Sequence, residues 1–135
     1  MATREHGQPQ LLLPSGVFVG VDAAGHWTVS HGLNSYHLDV VADFFRVWLL
    51  LERTFEDVSR DLSRISGSSA AARFPYGKLV ASALTAQSAY WSEKAAAWLP
   101  FLTEPERAEL VPLMQEACSA RWANQRTRQI IRRYL

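Results

Sequence analysis

The sequence predicts a mainly helical α+β domain: an N-terminal β-hairpin followed by an antiparallel three-helix bundle, with a break or kink in the third helix near residues 118–124. Three observations lead there. β-branched and aromatic runs flank Asp22-Ala23-Ala24-Gly25, apolar residues recur at alternating spacings of three and four over residues 41–65, and Thr103-Glu104-Pro105-Glu106 has the form of a capping box.

Residues 1–10 are polar, contain Gly7 and Pro9 and lack periodicity, so they read as a disordered leader to a single domain over residues 11–135. The hairpin is expected at 17–30. Asp22 can cap the turn through its carboxylate, and Gly25 supplies the positive φ that closes it. Two strands alone are marginal in water, so Val17, Val19, Val21, Trp27 and Val29 should lie against helices.

Helix one is expected at about 35–65, with Asn34 or Ser35 as N-cap. Val41, Phe44, Trp48, Leu51, Phe55, Val58, Leu62 and Ile65 form a heptad-like seam, which would also serve as a homodimer interface. Glu56 with Arg60 and Asp61 with Arg64 are spaced to pair on its outer face, and Ser66-Gly67-Ser68-Ser69 ends it. Helix two should run over 76–99, stopped by Pro100, with a thin section of Ala and Ser residues from Ala81 to Ala89. Helix three should start at the capping box and run over 104–134.

Helix three does not keep one register. At 100° per residue, Leu110, Met114 and Ala117 point within about 40° of one direction, and Arg121, Arg128 and Arg132 continue it, while Ile130, Ile131 and Tyr134 lie on a side rotated by roughly 130°. Either the helix breaks, or its distal part leaves the bundle. No acidic residue lies between Ala117 and Leu135. Arg121, Arg126, Arg128, Arg132 and Arg133, flanked by Trp122 and Tyr134, therefore form a basic segment suited to an acidic or phosphate-bearing partner. The plainer use of the same arginines is to complement the helix macrodipole or to pair with Asp39, Asp43, Glu52 or Asp57.

No catalytic motif accompanies these elements: there is no GxSxG, P-loop, CxxC or Gly-rich dinucleotide turn. His26, His31 and His37 gather with Asp22, Asp39 and Asp43 around the hairpin exit, but no HxxxH or HExxH pair is present and they read as polar surface. The close carboxylate pairs Asp39/Asp43, Glu52/Glu56 and Glu106/Glu109 read as solvated faces. No metal, cofactor or catalytic residue is expected, and the lone Cys118 reads as a small buried hydrophobe.

A net charge of +1 gives no whole-molecule attraction to nucleic acid or membrane. The most apolar stretch carries Asp43 and Arg46, which argues against a membrane span, and Pro14, Ser15 and Gly16 interrupt the one run resembling a secretory signal. A cytoplasmic setting is the expectation. The function expected is a non-catalytic interaction module, of adaptor, inhibitor or immunity type, acting on a protein or nucleoprotein. Its contacts would come from the distal arginines, Trp122 and Tyr134, and from Phe74 and Tyr76 in a loop. The alternative is a nucleic-acid-binding regulator using the Arg-rich C-terminal helix.

Overall fold

The computed structural model describes residues 2–3, 9–66 and 73–135. The fold is α+β, with an N-terminal antiparallel sheet followed by helices, in two compact units that meet in sequence at Phe74 and Pro75.

In the first unit, β2 (Pro9–Leu12), β3 (Phe18–Val21), β4 (Trp27–His31) and β5 (Asn34–His37) form an antiparallel meander, and the two-residue β1 (Ala2–Thr3) extends it beside β2. Order therefore includes Pro9 and Gln10 of the expected leader, whereas residues 1 and 4–8 lie outside the described residues. The expected hairpin is present between β3 and β4, in register Val21 to Trp27 and Val19 to Val29. Its turn is built as the residues dictate: the Gly25 N–H donates to the Asp22 carbonyl at 3.0 Å, and Gly25 takes φ +88°.

The hairpin is only the centre of the sheet, which corrects the simpler expectation. Asn34 and Ser35 do not cap a helix; they belong to β5, whose four residues are all exposed and which is held by pairing with β4. Gly32, at φ +61°, opens the two-residue turn between them.

The single helix expected over 35–65 is two elements. Val41–Glu52 is a 3₁₀ helix with a kink at Val47 (φ −121°, ψ 18°), and α1 (Phe55–Ser66) follows. In a three-residue turn, i and i+3 eclipse, and Phe44, Val47 and Leu50 are accordingly all 0% exposed. The mixed three-four seam is thus not continuous. The Asp43 carboxylate accepts the Asp39 and Val40 N–H groups at 3.0 and 2.9 Å and starts the 3₁₀ helix. Extended Arg53 ends it, and the Thr54 hydroxyl accepts the Asp57 N–H at 3.2 Å to start α1.

α1 packs on β2 and β3 through a buried stripe of Val58, Leu62 and Ile65. These three seam residues are buried within the chain. On its outer side Asp57 bonds to Arg60, while Asp61 takes Arg53 at 2.6 Å and Arg64 at 3.8 Å. Residues 67–69 of the expected terminating loop lie outside the described residues.

In the second unit, the helix expected over 76–99 is divided. α2 (Tyr76–Thr85) ends before Gln87, which adopts φ +56°, and Ser88 caps α3 (Ala89–Ala96) by accepting the Trp91 N–H at 3.3 Å. A 3₁₀ turn, Leu99–Phe101, contains the terminating Pro100. α4 (Glu104–Ser119) starts at the expected capping box. The Thr103 N–H donates to Glu106 Oε1 at 2.8 Å, and the Glu106 N–H to Thr103 Oγ1 at 3.3 Å. α5 (Gln125–Arg132) is separate, so the third helix is broken where its register shifts. α4 packs on α2 and α5, and α3 packs on both α2 and α5. The three-helix bundle is replaced by shorter helices in both units.

Candidate functional site

The basic segment is positioned by the end of α4. Ala120 turns extended at φ −87° and ψ 142°, and Asn124 restarts a helix by accepting the Thr127 N–H on Oδ1 at 2.8 Å. This break resolves the register conflict. Leu110, Met114 and Ala117 stay buried on α4, while α5 rotates so that Thr127 and Ile131 are buried instead.

Arg121, Arg126, Arg132 and Arg133 are exposed, and Arg128, Trp122 and Tyr134 are half-buried. Arg126 and Arg133, seven residues apart, share one face of α5 to within about 20°. Among the described residues, no carboxylate pairs with Arg121, Arg126, Arg128, Arg132 or Arg133. Tyr134 is partly used within the fold, where the Arg107 guanidinium lies 5.8 Å from its ring centre. Cys118 is half-buried, its thiol directed at the Arg128 carbonyl at 3.9 Å.

Phe74 and Tyr76 do not join this surface. Phe74 is 2% exposed and meets the edges of Trp27 and Phe44, at centroid distances of 5.1 and 6.0 Å. Tyr76 is 3% exposed and packs against Trp98 at 6.0 Å. Both rings are core, because the residues around Pro75 form the start of α2 rather than a projecting loop.

A second constellation lies on the sheet. Asp22, in the β3–β4 turn, directs Oδ1 at the N–H groups of Ala24 and His26, at 3.0 and 2.9 Å. Its Oδ2 lies 3.6 Å from His26 Nδ1 and 3.4 Å from His37 Nε2. The two imidazoles are 5.3 Å apart between centroids. The His26 N–H, with the Ala24 N–H and the nearby imidazoles assisting, holds the Asp22 carboxyl below the usual range despite some desolvation.

His37 reaches this turn because β5 pairs with β4, placing Thr28 opposite His37. The sequence gathers His26, His31 and His37 with Asp22, Asp39 and Asp43 around the hairpin exit, but no local spacing picks out these three. Among the described residues, this is the one group of three metal-ligating side chains whose ligand atoms converge, all within 4.8 Å of one another. His31 is elsewhere, lining a cleft of about 250 Å³ with Val17, Val29, Tyr36 and Arg46. The Arg46 guanidinium there stacks 3.9 Å above the Tyr36 ring.

One member of each of two carboxylate pairs has a structural use. Asp43 serves the start of the 3₁₀ helix, and its carboxyl is held below the usual range by the Val40 and Asp39 N–H groups. Glu106 closes the capping box.

Among the described residues, no helix is long and apolar enough to cross a membrane. No protein-family model, curated protein or solved structure matches the chain.

Proposed function

We propose that this chain is a small non-catalytic interaction module whose contact surface is formed by the exposed arginines on and at the end of α5, with Arg121 and Trp122 beside them, and whose partner is a protein with an acidic surface. The observation that carries the reading is the set of exposed arginines, Arg121, Arg126, Arg132 and Arg133, for which no carboxylate is provided among the described residues. Asp57 and Asp61, by contrast, are matched to Arg53, Arg60 and Arg64.

Complementing the helix dipole does not account for the pattern. Arg132 occupies the last turn of α5, where a cation is favourable, but Arg126 sits in the first turn, where it opposes the positive end. Guanidinium groups on a short helix that breaks from the preceding one suit bidentate recognition of carboxylates, and an adjacent Trp is a common anchor of such contacts.

The same cations favour a second reading, direct nucleic-acid binding, since an arginine neutralises a phosphate as readily as a carboxylate. The test is the triple variant Arg126→Ala/Arg132→Ala/Arg133→Ala against wild type. Cross-linking in host extract should recover a defined acidic protein with wild type and not with the variant. Labelled duplex and single-stranded oligonucleotides, titrated at two salt concentrations, decide the second reading. Salt-steep binding whose log–log slope flattens by about 2–3 in the variant transfers the surface to nucleic acid. Equal behaviour of wild type and variant in both assays removes both readings.

A further inference from the structure

We infer that Asp22, His26 and His37 form a binding site for one divalent transition-metal ion, of zinc-type ligand chemistry, at the end of the sheet where β3, β4 and β5 come together. The site is independent of the arginine face and lies wholly within the first unit.

The geometry is that of ligands around an ion. A tetrahedral ion with bonds of about 2.0–2.1 Å holds its ligand atoms roughly 3.3–3.4 Å apart. Asp22 Oδ2 stands 3.4 Å from His37 Nε2 and 3.6 Å from His26 Nδ1. These separations exceed an ordinary N–H to carboxylate hydrogen bond, yet two of the three edges of a coordination face are already near length. The third edge, between the two imidazole nitrogens, is within 4.8 Å. Both imidazoles are mostly exposed, at 63% and 62% of the side chain for His26 and His37, so a small rotation closes it without disturbing the core.

The carboxylate is prepared for this role. Oδ1 is fixed by two backbone N–H donors of the turn, which orients Oδ2 toward the imidazoles. A metal ligand whose other oxygen is hydrogen-bonded loses less side-chain freedom on binding. Three protein ligands leave a fourth position for water or for a side chain of a partner.

The competing account is a turn carboxylate with two histidines ion-paired to it, which needs no metal. Cobalt(II) substitution separates the two. The full chain, stripped with chelator, is titrated with Co²⁺ at about pH 7.5, where free imidazole is mostly neutral. Wild type should develop the visible bands of a four-coordinate ion, saturating at one equivalent and displaced by Zn²⁺. His26→Ala and His37→Ala should each abolish the bands while leaving the circular dichroism unchanged, as both side chains are exposed. Asp22→Asn keeps an oxygen for the turn N–H groups, so it should fold normally yet bind Zn²⁺ roughly tenfold more weakly or worse. Absence of bands in wild type, or bands undiminished in a His26→Ala/His37→Ala double variant, overturns the site.

Discussion

Replacing Thr127 by valine should stabilise the second unit, against the usual sign of core substitutions. Thr127 is fully buried on the first turn of α5, with its backbone N–H satisfied by Asn124 Oδ1 at 2.8 Å. Its hydroxyl has no hydrogen-bond partner among the described residues. Burying a hydroxyl without a partner costs about 1–3 kcal/mol, because water's hydrogen bonds are given up and nothing replaces them. Valine keeps the branched shape and helical rotamer and exchanges the oxygen for a methyl group.

After allowance for crowding by the methyl, a net gain of about 1–2 kcal/mol remains. For a chain of this size that is a rise in Tm of roughly 3–8 °C. Asn124→Ala at the same helix end supplies the opposite sign, a loss of about 1 kcal/mol with the cap. Urea unfolding, followed by tryptophan fluorescence and circular dichroism, measures both variants as shifts of the midpoint at constant m. An unchanged or lowered midpoint for Thr127→Val would refute the reasoning, for it would mean that the hydroxyl is satisfied in the folded chain.

Two further predictions concern the first unit. Phe44→Ala should cost about 3–5 kcal/mol, whereas Phe45→Ala, at a residue 53% exposed, should stay within about 0.5 kcal/mol; similar losses at both would contradict the face of the 3₁₀ helix that is turned to the core. The Arg53 side chain's hydrogen bond holds the Asp61 carboxyl below the usual range. A folded-state pKa below the unfolded one means that the unfolded chain binds more protons. The stabilisation is therefore complete above the unfolded value of about 3.9 and is lost as pH falls through the folded value. Asp61→Asn should lower the urea midpoint at neutral pH and flatten its decline below about pH 4, and a decline identical to wild type would sink the assignment.

Local chemistry made several elements legible. The Asp22 to Gly25 turn, the Thr103 to Glu106 capping box and the register shift beyond Ala117 each rest on residues close in sequence, and each is found in place. Elements of weak or redundant pattern were not legible. Val47-Trp48-Leu49-Leu50-Leu51 is apolar at every position, so its spacing does not distinguish a three-residue turn from an α-helical one. Thr54 with Asp57 is a cap signal just beyond that run, masked by the three-four spacing that continues across it.

The candidate surfaces divide along the same line. The basic C-terminal segment could be read directly, since an absence of acids over a stretch of chain is a property of sequence, although burial removed Phe74 and Tyr76 from it. The gathering of His26, His31 and His37 with Asp22, Asp39 and Asp43 could also be read, but not that His37 converges on Asp22 and His26 while His31 lies elsewhere. β5 is mostly polar, exposed at all four residues and held by backbone hydrogen bonds to β4, and a backbone pairing leaves no side-chain pattern to read. By itself the sequence determined the hairpin turn, the helix caps and the charge of the C-terminal segment, because these follow from contacts within a few residues. The sheet's outer strands, the division of the long helices and the meeting of two histidines with one aspartate were decided by tertiary structure, because each depends on which distant backbone or core surface the segment meets.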